Sequence, residues 1–581
     1  MNKKISIYQT LPRLFGNSNS NPKINGTISE NGTGKFDDYS SRALQEIRDL
    51  GITHIWYTGI IRHATMTDYS QYGISHDHPA LIKGRAGSPY AINDYYDVDP
   101  DLANNVNKRM EEFEGLINRT HHAGLGVIID LVANHLFRQY HSIKKPDGIE
   151  DFGANDNPDK AFDPGNNFYY LPGLEFKLPE DIAWLQQIKN ELPEQPYTEK
   201  PSKATGNDIF TPTPSADDWY ETIKLNYGVD LNGDGSRHFS PIPDTWHKML
   251  EIILFWAGKN IDGFRCDMAE MVPPEFWAWA IRAAKKKFPQ LIFIAEIYNP
   301  TEYHNYVKYS GFDYLYDKVG LYDTLKNILI HGTSTINLSN CWKVLEGLDA
   351  HMLRFLENHD EVRLASEAFA GDAFAAIPAM TLSATMHRGP IMIYSGQEVG
   401  EPAAGESGFS GNDSKTTIYD YWIIPELQKW TNNGRFDGAL LSPDQIKLRQ
   451  FYQKILNFSI RHDAIVNGGF YDLMWANPYE SLPQRDKIFI WLRHSPKQKL
   501  LFVANFDRNN AHRIKVRISD HAFNEMGWNR CSDFEAIELL WNRQKFGFSR
   551  SDAINPGLYT ELKPNDVLIF EITSPGCNYG F

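Results

Sequence analysis

The chain has 581 residues, 42% of them hydrophobic and 23% charged, with a formal net charge of -15. That length predicts more than one domain, with ample material for a large core. The negative balance leaves no basic footprint for nucleic acid or an anionic membrane. No apolar run is long enough to span a bilayer, and four scattered cysteines, Cys266, Cys341, Cys531 and Cys577, build neither a disulfide framework nor a zinc knuckle.

The opening Met1-Asn-Lys-Lys lacks the apolar stretch of a signal peptide, which predicts a cytoplasmic protein. Residues 5–10 read as a strand, followed by an Asn-, Gly- and Ser-rich loop. A helix over about 38–50 carries Leu44, Ile47 and Leu50 on one face and stops at Gly51. The second strand is 53–60. Met110, Phe113, Leu116 and Ile117 then mark a helix ending near Gly124, and residues 127–132 form a strand apolar on both faces. The alternation resumes with a helix over 244–257, a strand at 261–264, a helix from Pro274 and a strand at 291–295. Weaker strand signals follow at 311–316, 352–356 and 391–395.

Eight near-continuous apolar strands separated by helices predict a closed (β/α)8 barrel, occupying 1–135 and 244–462. Residues 136–243 are rich in Asn, Asp, Pro and Gly and too long for a bare loop, so they are expected to form an inserted subdomain after strand three. After a helix at 445–461 the period changes. Strands at 487–492, 499–504, 513–518 and 566–572, without intervening helices, predict a C-terminal antiparallel β-sandwich over 463–581.

Barrel enzymes carry their reactive groups at the C-terminal ends of strands. Strand three ends in Asp130-Leu-Val-Ala-Asn134-His135, strand four in Arg265-Cys-Asp267, strand five in Ala295-Glu296 and strand seven in Glu357-Asn-His359-Asp360. Three carboxylates from strands four, five and seven are thus expected to converge. Residues two apart on a strand share a face, so Arg265 lies beside Asp267 and is expected to keep it ionised. Glu296 leaves an apolar stretch, where desolvation is expected to keep it protonated. Two carboxylates so divided are what retaining glycoside hydrolysis needs, held about 5–5.5 Å apart. Asp130, deeper in its strand, is expected to brace Arg265 or Asn134. Cys266 points to the opposite face as a small apolar filler, and Glu398 and Asp94 read as structural.

Taken in order, Asp130-Leu-Val-Ala-Asn134-His135, Gly263-Phe-Arg265-Cys-Asp267-Met-Ala-Glu-Met271, Phe293-Ile-Ala-Glu296-Ile-Tyr298 and Phe355-Leu-Glu-Asn-His359-Asp360-Glu361 resemble the four signature regions of the α-amylase family, glycoside hydrolase family 13. Ser88-Pro-Tyr90-Ala-Ile-Asn-Asp94, Lys224-Leu-Asn-Tyr227 and Gly389-Pro-Ile-Met-Ile-Tyr394-Ser-Gly-Gln-Glu398 support the match. The resemblance implies that Asp267 is the nucleophile, Glu296 the general acid and then base, and Asp360 the transition-state stabiliser. It also implies that Arg265, His135 and His359 bind the sugar at the cleavage point and that Tyr90 stacks on it.

The implied activity is hydrolysis of α-1,4-glucosidic bonds in starch, glycogen or maltodextrins through a covalent glycosyl-enzyme. The alternatives are a glucanotransferase or maltosyltransferase with the same intermediate, or a non-catalytic glucan-binding member. Gly87 and Ser88 beside Tyr90 favour action within a glucan chain, while Glu270 and Met271 depart from the Lys and His that many members carry on the acceptor side. The partner is an α-glucan, and the chemistry needs no cofactor. Many relatives use the asparagine matching Asn134 for a structural calcium. Asp230-Leu-Asn232-Gly-Asp234-Gly235 also resembles the first half of a calcium loop, but Pro241 stands where its glutamate belongs. An Asx turn explains that segment equally, and no metal ligand is assigned.

Overall fold

The computed structural model describes residues 4–180, 182–345 and 347–575; the opening tripeptide and Cys577 lie outside the described residues. Eight strands, β1 (Ser6–Thr10), β2 (His54–Tyr57), β3 (Gly126–Val132), β4 (Gly263–Asp267), β5 (Ile292–Ala295), β6 (Tyr314–Tyr316), β7 (Met352–Leu353) and β8 (Ile391–Tyr394), form one parallel sheet in that order. It closes because β8 pairs with β1 in register Ser6 to Ile391, and because the Arg354 amide donates to the Pro390 carbonyl at 3.0 Å while the Met392 amide donates to Arg354 at 2.8 Å. The result is a (β/α)8 barrel.

Helices α1 (Ser41–Asp49), α2 (Arg109–His122), α3 (Asp244–Gly258), α4 (Pro274–Lys287), α5 (Asp323–His331), α6 (Ala376–Thr385) and α7 (Pro443–Arg461) cover the sheet. Their ends follow local chemistry. The Ser40 hydroxyl accepts the Ala43 amide to open α1, and the chain turns away at Gly51, whose φ of 102° suits glycine. Strand ends differ from the expected ones by at most three residues. β4 begins at Gly263, not 261, and the close pairing with β5 there needs glycine, because a Cβ at Gly263 would meet the Ile292 carbonyl at 2.8 Å. β7 is cut to two residues, since beyond Arg354 the chain leaves the sheet. Between β5 and β6 the helical stretch is irregular, opening as a 3-10 turn at Pro300–Glu302 and ending as a π-helix at Asn305–Ser310.

Between β3 and α3 the chain makes a long excursion. His135–Phe137 pairs antiparallel with Thr222–Lys224, and Tyr170–Leu171 with Ser202–Lys203. Phe137, Phe176, Trp184, Ile188 and Tyr220 bury one another in a separate apolar cluster shared with Leu81 and Ile82 of the β2–α2 connection. This insertion forms one wall above the barrel mouth.

After α7, a six-stranded antiparallel sheet runs β9 (Gly469–Asp472), β10 (Ile488–His494), β11 (Lys499–Asn505), β16 (Asp566–Thr573), β13 (Asp533–Glu538), β14 (Lys545–Ser549). β12 (His512–Val516) pairs with β15 (Leu558–Leu562) as a second sheet. Four of these strands were legible in the pattern. β9, β13, β14 and β15 were not; β13 and β15 do alternate in burial, but their inner faces include the polar Glu538 and Thr560, and short helices at Asp520–Glu525 and Arg550–Ile554 break the expected helix-free run. Among the described residues no helix is long and apolar enough to cross a membrane.

Candidate active site

The site is built on β4. Along this strand Gly263, Arg265 and Asp267 face the barrel axis while Phe264 and Cys266 face the helices. Arg265 is completely buried. Its guanidinium donates through Nη1 to Asp267 Oδ1 at 2.7 Å and lies 3.4 Å from Asp130 Oδ1, while Nη2 is 2.7 Å from Glu296 Oε2. The adjacent nitrogens of one planar group therefore hold the carboxylates of β4 and β5. Trp56 and Tyr316 pack on this guanidinium at 5.2 and 5.4 Å, and the Tyr316 hydroxyl accepts from Nε at 3.1 Å. Asp130 braces it from β3 and is itself held by the Trp56 indole N–H at 2.9 Å.

Above this pillar opens a cleft of about 250 Å³. Tyr90, His135, Asp267, Glu296, His359 and Asp360 all line it, so the residues singled out from four strand ends and one loop meet in one place, with Arg265 beneath them. Asp267 and Glu296 form its floor, and Asp360, whose side chain is 44% exposed, stands at the mouth. Tyr90 stacks on His359 with ring centroids 5.3 Å apart and its hydroxyl bonds His359 Nε2. The other ring nitrogen, Nδ1, accepts from the Gln9 amide at 2.8 Å, which leaves the proton on Nε2, toward Tyr90 and Asp360. Burial and the nearby Arg265 push His359 down to about 3. Burial, with Lys224 and Lys83, does the same to His135. Both rings are neutral.

The surroundings expected for the two acids need correction. Burial pushes the Asp267 carboxyl well above the usual carboxylate range, opposed by Arg265 and reinforced by Glu296 and Asp130. Arg265 does not hold it ionised alone, because its one positive charge is divided among three carboxylates. Asp130 is likewise pushed up to about 6 by burial, against Arg265. Nor is Glu296 in apolar surroundings. The Met268 amide donates to its Oε2 at 2.8 Å and the Tyr298 hydroxyl to its Oε1 at 2.5 Å, besides the guanidinium. Protons in this site belong to the group of acids as a whole.

Several contributors were not read from the sequence. Tyr298 lies two residues beyond Glu296, and the same-face rule that joined Arg265 to Asp267 points to it. Gln9, at the end of β1, orients His359. Trp219 packs on His135 at 5.2 Å, and Lys83 pairs with Glu221 at 2.9 Å; all three line the cleft from long connections. Only the tertiary fold brings these together.

The calcium that the resemblance implies at Asn134 does not suit the residues present. Asn134 Oδ1 already accepts from the Lys224 ammonium, which also pairs with Asp208 Oδ1 at 2.6 Å. At the second candidate segment, Asp234 Oδ1 accepts the Ser236 amide at 2.8 Å as an ordinary Asx turn. Among the described residues no three His, Cys, Asp or Glu side chains converge as metal ligands.

Comparison with known proteins agrees with the barrel. The family model of the alpha-amylase catalytic domain matches residues 9–421. Alpha-amylase 3 of Dictyoglomus thermophilum is 24% identical over 65% of this chain and 68% of its own. Trehalose-6-phosphate hydrolase of Bacillus subtilis is 22% identical over 99% and 98%. The solved maltogenic alpha-amylase AmyB of Thermotoga neapolitana superposes with a TM-score of 0.60 at 17% identity, covering 98% of both chains. The alpha-amylase of Geobacillus thermoleovorans superposes at 0.61 with 18% identity over 98% of each. With a family match over more than two thirds of its length, on a barrel that carries the matching strand ends, the chain belongs to the α-amylase family of glycoside hydrolases, family 13.

Proposed function

We propose that this glycosidase hydrolyses α-1,4-glucosidic bonds in starch, glycogen or maltodextrins with retention of configuration. The observation that carries the reading is the placement of Asp267 and Glu296 on adjacent nitrogens of one guanidinium, at the floor of a single cleft with Asp360 at its mouth. In the protonation state that reacts, with the shared proton on Glu296 and Asp267 ionised, Asp267 attacks the anomeric carbon as the glycosidic C–O bond breaks, and Glu296 gives its proton to the departing oxygen. A water then gives its proton to Glu296 and its oxygen to that carbon, releasing Asp267. Asp360, Arg265, His135 and His359 hold the ring's hydroxyls, bonds that tighten as positive charge develops. Tyr90 supplies a flat apolar face.

At about 250 Å³ the cleft is smaller than the roughly 300–1,000 Å³ pockets that bury drug-sized ligands. It therefore encloses the ring at the cleavage point and leaves the rest of a chain at the mouth. Structural neighbours solved with acarbose, maltose and maltotriose support an α-glucan substrate. The test is chromatography of products from one defined maltooligosaccharide. Only shorter sugars are expected, with retained anomeric configuration, and Asp267→Asn should abolish turnover while leaving thermal unfolding intact. Products longer than the input would instead make the enzyme a glucanotransferase. Normal turnover by Asp267→Asn would remove that residue from its role.

A further inference from the structure

Lys224 lies in the insertion strand, opposite His135, and is not itself part of the cleft lining. Its side chain is 2% exposed. The ammonium has three protons and meets three acceptors: Asn134 Oδ1 at the end of β3, Asp208 Oδ1 in the insertion at 2.6 Å, and the Met271 carbonyl in the turn after β4 at 3.1 Å. Asn134 is fixed in the orientation this requires, because its own amide donates to the Gly206 carbonyl at 2.7 Å. Asn134 and the Met271 carbonyl accept hydrogen bonds and Asp208 pairs its charge with the ammonium, so the set holds one cation and one carboxylate.

We infer that the Lys224 ammonium is a covalently tethered substitute for a divalent cation at this joint, so that the chain fastens its insertion to the barrel without calcium. Geometry and charge both exclude the metal while the lysine is present. Calcium takes six to eight oxygens at about 2.3–2.6 Å, whereas here three oxygens surround a nitrogen that already fills the centre. A doubly charged ion facing the single carboxylate of Asp208 would leave a buried excess of positive charge, but an ammonium is matched one for one. The joint also has consequences for the cleft. Asn134 adjoins His135, and Met271 follows Asp267 and Met268 by one short turn, so Lys224 ties two strand ends of the site to the insertion that walls it. A chelator cannot remove this cation.

The experiment compares the full chain and two variants. The unmodified protein, purified without added metal, is assayed for calcium content and unfolded thermally in EDTA and in excess calcium chloride. The expected result is one unfolding temperature in both solutions and substoichiometric calcium. Lys224→Met, which keeps the aliphatic stem but strands Asp208 and Asn134, should unfold about 1–3 °C lower. An EDTA-dependent fall in the unfolding temperature, together with one calcium per chain that Asp208→Ala releases, would overturn the inference. So would Lys224→Met unfolding at the unmodified temperature. Should that variant fail to fold, the measurements on the unmodified chain decide.

Discussion

Arg265 faces more negative charge than one guanidinium can neutralise, and this sets the electrostatics of the site. Asp267, Glu296 and Asp130 all reach it, Trp56 and Tyr316 exclude water from it, and burial wins over attraction at both aspartates. The same burial works in the opposite sense on the histidines, where it disfavours the charged form. His359 in the folded chain titrates at about 3, far below the usual value near 6.5. It therefore contributes stability that is fully present above pH 6.5 and is lost as the pH falls toward 3, since the unfolded chain takes up the proton first. His359→Asn should lower kcat/KM by about 100-fold through loss of a ring-hydroxyl contact. It should leave the limbs of the pH–rate profile between pH 5 and 9 where they are, because no histidine proton is exchanged there. A displaced limb would show that His359 titrates during turnover. The identity of these residues was legible from their strand ends; their charge states were not, because each depends on neighbours far away in the chain.

Elements place these side chains through short, checkable devices. The loop that presents Tyr90 turns at Gly87, with φ at 76° and the Ala64 carbonyl 1.8 Å from where a Cβ would sit. Gly87→Ala is both strained and overlapped, and should cost more than the roughly 1–2 kcal/mol of a left-handed backbone alone. Because the same loop positions Tyr90, activity should fall along with stability; thermal unfolding and kcat/KM on one preparation check both. Helix α7 shows why some boundaries could be read and others not. Its start is written locally, with Ser442 and Gln445 satisfying each other's amides at 3.2 and 3.0 Å. β7 carries no such mark. Its length is set by where Arg354 meets β8 and by the pairing of Arg354 with Asp317 at 3.0 Å.

The molecule as a whole is held across its two sheets by polar joints as well as apolar packing. Asp472 on β9 accepts from Ser339 at 2.6 Å and from the Trp342 indole at 3.0 Å on a barrel-side helix, and caps the Met474 amide at 2.8 Å. Asp472→Ala should cost about 2–4 kcal/mol, because it leaves these donors without a partner. The expected sign is a lower urea midpoint at unchanged slope, and a midpoint equal to that of the unmodified chain would show the joint to be ornamental. Neighbours with 17 or 18% identity share the architecture over 98% of both chains, since a barrel asks for apolar strands at the right period more than for particular residues. That period, the order of the strand-end motifs and the types of reactive group are properties of nearby residues, and could be read along the chain. Which amide orients His359 and which ammonium seals Asn134 depend on contacts between segments 350 and 90 positions apart, and that Glu296 shares Arg265 with Asp267 depends on the pairing of two strands. Electrostatic energy follows distance in space and burial, and neither is written in the linear order of residues.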